Sequence, residues 1–157
     1  MKRNLLKAAL VSAALVCVGT YASAKTLKAS KVDVKAVSKL IDGDYKPKLD
    51  KEDQRVSIKS KGTSFVKLNE TKQVVTVSSK WSLKSGLSAV DAAVIANKVN
   101  SSFSLVQASF REATRDEGET FVLEASLPYM GGLDSANLNY VLSQYVEAAA
   151  KLEELLK

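Results

Sequence analysis

The sequence predicts a two-layer α+β domain: a five-stranded antiparallel sheet with helices on one face, in the order α-β-β-β-α-β-β-α. Three observations lead there. Five segments alternate apolar and polar residues, as a half-buried strand must. Three others repeat apolar residues at spacings of three and four, as an amphipathic helix does. The strands are joined by short turns, which permit only antiparallel neighbours. Such strands leave one face of the sheet wet, so the helices cover the other.

The first helix spans residues 33–41, with Val34, Val37 and Ile41 as its stripe. Asp42-Gly43-Asp44 ends it, with Gly43 suited to a left-handed residue. Residues 45–53 hold Pro47 and many charges and read as a connector. Three strands follow, at 55–60, 64–68 and 74–81. Their turns are Lys61-Gly62 and Asn69-Glu70-Thr71-Lys72.

Ser88 then caps a middle helix whose stripe is Val90, Val94, Ile95 and Val99, with Asp91 favouring its first turn. Strands at 102–113 and 119–127 flank an acidic turn. A loop at 128–133 contains Gly131-Gly132. Asp134 caps the last helix, whose stripe from Leu138 to Leu156 lasts about five turns.

Ahead of this domain, residues 1–24 read as a cleavable secretory signal peptide. Lys2, Arg3 and Lys7 precede an apolar stretch at 8–18, and Ala22-Ser23-Ala24 is a small-x-small cleavage pattern. Cleavage would fall between Ala24 and Lys25, with Ala22 as the other small residue, and release residues 25–157 as one periplasmic domain. The apolar stretch is about half the roughly 20 residues that span a bilayer. Cys17 as a lipidation site is the weaker reading, because Val16 stands where a small residue is wanted.

Cys17 is the only cysteine and histidine is absent, so residues 25–157 contain neither. A domain without disulfides is held by core burial. The same composition excludes serine–histidine and cysteine–histidine catalysis and most zinc, copper and haem sites. No cofactor is implied. Residues 25–84 carry 15 basic and 7 acidic side chains, whereas residues 85–157 carry 5 and 10. Oppositely charged halves favour docking on each other or self-association, although a solvated surface explains them too.

The stretch from Ile95 to Leu156 carries a family resemblance. Asn100 lies near the end of the middle helix, and Phe103 opens a strand. The turn Asp116-Glu117-Gly118 leads to the strand from Phe121 to Leu127, and Gly131-Gly132-Leu133 leads into the last helix. In these features the chain resembles the YbjN family of bacterial sensory-transduction regulators. The resemblance implies a fold like that of type III secretion chaperones, which dimerise and bind extended segments of other proteins. It therefore implies a non-enzymatic role with a protein partner, and a homodimer. A signal peptide and a lysine-rich first half set this chain apart from the usual family member.

Individual residues offer further candidate sites. Ser64 and Lys67 match a serine-x-x-lysine pattern, but in a strand that spacing sends them to opposite faces. Glu112, Asp116, Glu117 and Glu119 cluster at a hairpin, interleaved by Arg111 and Arg115, and read as a solvated turn rather than a calcium loop. Trp81 is an interface anchor if exposed and core if not. Tyr129 and Met130, beside two glycines, form a candidate contact loop, or else pack on the sheet. Lys59, Lys61, Lys67, Lys80 and Lys84 form a candidate basic outer face for anionic lipid at a membrane surface or a polyanionic surface sugar, and a small apolar ligand in a pocket between sheet and helices is the other binding alternative. The plainer role of these lysines is to keep sheet edges from pairing. The lack of interleaved aromatics argues against nucleic acid.

Overall fold

The computed structural model describes residues 24–59, 63–83, 87–115 and 117–157. The segment up to Ser23, the Lys61-Gly62 turn, Lys84 and Asp116 lie outside the described residues.

The chain runs β1 (Thr26–Leu27), α1 (Val34–Leu40), β2 (Lys48–Asp50), β3 (Arg55–Lys59), β4 (Thr63–Asn69) and β5 (Val74–Ser82). It continues through α2 (Ala89–Ser102), β6 (Val106–Arg111), β7 (Thr120–Pro128), β8 (Leu133–Asp134) and α3 (Ser135–Leu155). The main sheet is antiparallel throughout, in the order β2-β3-β4-β5-β7-β6. It has six strands, not five. Lys48-Leu49-Asp50, within the segment read as a connector, pairs with β3 as a charged, three-residue edge. Short charged strands suit an edge, where one side has no partner.

The helices lie on one face. α1 packs on β2 and β3, α2 on β6, and α3 on β7 and β6 between them. Val56, Val66, Val77, Leu123 and Ala108 supply the sheet side of the core, and Leu138, Leu142, Tyr145 and Leu152 supply the α3 side. Phe110 and Phe121, register partners on β6 and β7, pack with their rings tilted by 55° and their centroids 5.7 Å apart. Tyr145 has the one buried polar tip of α3. Its hydroxyl contacts Ser79, which is 2.9 Å from the Ser64 hydroxyl, so the group is satisfied inside the core.

Two local readings change, and a further segment is found to be ordered. Gly43 does not end α1 as a left-handed residue. Asn139 of α3 takes that role: its side-chain amide donates to the Leu40 carbonyl at 2.9 Å and accepts from the Asp42 N–H at 2.8 Å. Asp42 then starts a single 3-10 turn, and the left-handed residue is Lys46. The middle helix continues to Ser102, and Ser101 and Ser102 donate their hydroxyls back to the Lys98 carbonyl in its last turn. Last, residues 25–31 are tied down. Thr26 and Leu27 pair with Asp134 and Leu133, and the Lys25 N–H donates to Ser135 Oγ at 2.9 Å.

The β2–β3 and β4–β5 turns share one construction. Asp50 accepts from the N–H groups of Glu52 and Asp53, and Asn69 accepts from Lys72. Each turn closes on a left-handed glutamine, Gln54 and Gln73, before the next strand. A side chain in that region is strained, while glycine pays its own entropic cost. Gln73→Gly is therefore expected to stabilise the protein by about 0.5–1 kcal/mol, measured as a shift in the urea midpoint. An unchanged or lower midpoint would show that Gln73 is not strained.

Candidate functional site

Alternation along the strands decides which side chains each face presents. On the helix side, β5 ends at Trp81, whose register partner is Phe121. Trp81 is half-buried against the core and also forms one wall of an open groove of about 750 Å³. Leu83, Leu87 and Ile95 form the second wall, and Leu155 and Leu156 at the end of α3 the third. Glu153 and Lys157 stand at its rim, 3.6 Å apart.

α2 extends this apolar surface. Its buried residues are Ala92, Ala96 and Val99, so it packs on its small side chains. Val90 and Val94, expected in the core, are 73% and 48% exposed. The close fit of an alanine face brings the helix near the sheet and turns the larger valines outward.

On the opposite side, the sheet presents Arg55, Lys59, Lys67, Lys80 and Arg111, with Phe65, Ser78, Val122 and Glu124 among them. Part of this face is a shallow trough of about 390 Å³. The Arg55 guanidinium covers the Phe65 ring at 4.2 Å and pairs with Asp50 at 3.3 Å. Lys80 pairs with Glu117 of the β6–β7 hairpin at 2.9 Å.

The predicted residues thus separate. Lys59, Lys67 and Lys80 are exposed on the outer face, and Trp81 belongs to the other side. Met130 is exposed, but Tyr129 is only 3% exposed and is not available as a contact. The Tyr129 N–H donates to the Gln73 carbonyl at 2.8 Å, and its carbonyl accepts from Gly132, which folds the ring inward. Burial raises the Tyr129 phenol above its usual pKa, with Glu70 adding to the rise. Ser64 is buried and Lys67 exposed, as the strand spacing requires. Ala24 and Lys25 are exposed, while Ala22 lies outside the described residues. Sequence reasoning did not assign Arg55, Phe65 or Arg111 to this face, although Arg55 alternates outward with Lys59 and Phe65 with Lys67.

Three carboxyls, the exposed Glu117 and the half-buried Asp50 and Asp134, are held below their ordinary pKa. Asp50 is lowered first by the Asp53 N–H, Glu117 by Lys80, and Asp134 by the Asn137 N–H and then the Thr26 hydroxyl. A lowered carboxyl stabilises the fold fully above its unfolded value and loses that effect as pH falls through its folded value. Tyr145 is raised by burial, so its contribution is complete below its unfolded value near 10 and fades above it. With no histidine in the chain, the urea midpoint is expected to be flat from about pH 6 to 8 and to fall below about pH 4. A step inside the flat window would contradict this assignment.

No protein-family model matches the chain, and no curated protein matches it. Among solved structures, it superposes on the crystal structure of YbjN from E. coli, described there as a candidate transcription regulator. The TM-score is 0.65 at 14% sequence identity, over 83% of this chain and 92% of that one. At that identity the likeness concerns architecture, and it agrees with the resemblance carried by Asn100 and the strands that follow it. The polypeptide has a YbjN-like fold.

Proposed function

We propose that the chain is an exported, non-enzymatic module that acts by binding an apolar segment of a protein partner. Its contact surface on this reading is the Trp81 groove together with the outer side of α2. The carrying observation is the exposure of Val90 and Val94 beside a groove already walled by Leu87 and Ile95. Adjoining apolar surface of this kind is a recurrent mark of partner binding. The absence of histidine, and of cysteine after residue 17, supports a role in contact rather than turnover. Export is supported by the basic, apolar and small-x-small order of residues 1–24.

Photocrosslinking in intact cells tests the reading. A benzophenone side chain at position 94 is expected to give a discrete protein adduct, abolished by Val90→Asp. Both positions are exposed, so neither change should disturb folding. The same probe at position 35, on α1, should give none. An adduct of twice the chain's mass would identify the occupant as a second copy, in keeping with a homodimer. Equal labelling at positions 35 and 94, or none at 94, would remove the proposal. Mass analysis of the exported protein should find Lys25 as its first residue.

A further inference from the structure

The outer face of the main sheet is on the side away from the helices and from the Trp81 groove, and has its own chemistry. Arg55 and Lys67 are register partners at one end of the trough. Lys80 and Arg111 stand toward the other end. Ser78 pairs with Phe65 in the middle row. Lys80 is two residues beyond Ser78, and Arg111 pairs with Thr120, two residues beyond Val122. The cations at the two ends are thus about four to six residues apart along the strands, or ~14–20 Å. No small anion bridges that distance, but an extended polyanion does.

The remaining groups narrow the ligand. Between the cations the middle row offers Ser57, Ser78 and Gln107, with Thr76 and Ser126 beside Lys67 in the end row, and these polar groups suit a hydroxyl-rich polymer. The acid lining the trough is Glu124, while Asp50 and Asp53 pair with Arg55 at one end and Glu117 with Lys80 at the other. Among the described residues, Lys59, Lys67 and Arg111 form no ion pair, so they have charge to offer. Phe65 is covered by Arg55 and gives no open platform for base stacking. Of the exposed large apolar side chains among the described residues, Val90, Val94, Met130 and Tyr140 lie off this face, and Leu105 adjoins it beside Gln107, Glu124 and Ser126; one leucine leaves little to insert into a bilayer.

We propose that the outer sheet face binds an extended anionic polysaccharide, its acid groups reaching the cations at both ends of the trough and its hydroxyls meeting the serines between. The site is independent of the Trp81 groove, so either proposal can fail without the other.

The test is affinity of the chain from Lys25 onward for immobilised polygalacturonate, with dextran as the uncharged counterpart. Binding should be specific to polygalacturonate and weaken about tenfold on moving from low to physiological salt. Lys67→Glu with Arg111→Glu should weaken it by about tenfold or more. Lys35→Glu with Lys39→Glu, an equal change of net charge on α1, should have little effect. If the first pair fails to fold, Lys67→Gln with Arg111→Gln serves in its place. Equal loss in both pairs would reduce the effect to net charge and overturn the proposal. So would binding to dextran, or tighter binding to polyglutamate, polyphosphate or anionic vesicles.

Discussion

Gly132→Ala is expected to lower folding stability by about 2–4 kcal/mol. Gly132 has φ +114, a region closed to side chains in ordinary conformations. A Cβ there would come 2.6 Å from the Leu27 carbonyl oxygen, a backbone atom that cannot swing aside. That carbonyl belongs to β1, whose Leu27 pairs with the buried Leu133 next to Gly132. Relief requires β1 to leave β8, which also loosens the entry to α3. Alanine restricts the unfolded chain and returns only about 0.4–1 kcal/mol. Gly131→Ala is the control, because nothing lies within 4 Å of the added atom. Urea denaturation of both variants, with hydrogen exchange at Leu27, checks the prediction. A loss under about 1 kcal/mol at position 132 would mean the approach is not as close as described.

Asn100→Ala is expected to cost about 1–3 kcal/mol and to promote self-association. Asn100 Oδ1 accepts the Ala108 N–H at 2.6 Å, and its Nδ2 donates to the Ala108 carbonyl at 3.1 Å. Those two backbone groups point away from β7, out of the last strand of the sheet. One side chain thus imitates a neighbouring strand at the middle of β6. Alanine leaves both groups without that partner at a place where a second copy's strand could pair. Asn100→Asp keeps an acceptor for the Ala108 N–H but turns a carboxylate oxygen toward the Ala108 carbonyl, so it should not restore wild-type stability. Sedimentation velocity over a range of concentration, alongside chemical denaturation, measures both effects. Wild-type stability and association in Asn100→Ala would show that the edge is guarded by other means.

Asn100 also shows what kind of information a sequence carries. Its position was readable as part of a resemblance, but not its work, because it contacts Ala108 through the return of the chain from helix to strand. The strands from 55 to 81 were legible because a period of two in Val56, Ile58, Val66, Val75 and Val77 has one physical solution, a sheet with one buried face. The strand at 48–50 was not. Three residues with one apolar side chain hold no period, and β3 alone makes them a strand.

For the candidate surfaces, local pattern determined that Lys59, Lys67 and Lys80 face outward and that Ser64 and Lys67 part company. It also determined the length of α3 and the Ser88 and Asp134 caps, all of which depend on residues within a few positions. Only the tertiary structure decided that α2 buries its alanines and exposes Val90 and Val94. Both sides of that helix are apolar, so periodicity alone cannot choose between them, and the distance to the sheet does. The inward turn of Tyr129 was settled in the same way, by a hydrogen bond to Gln73 from the neighbouring strand's turn.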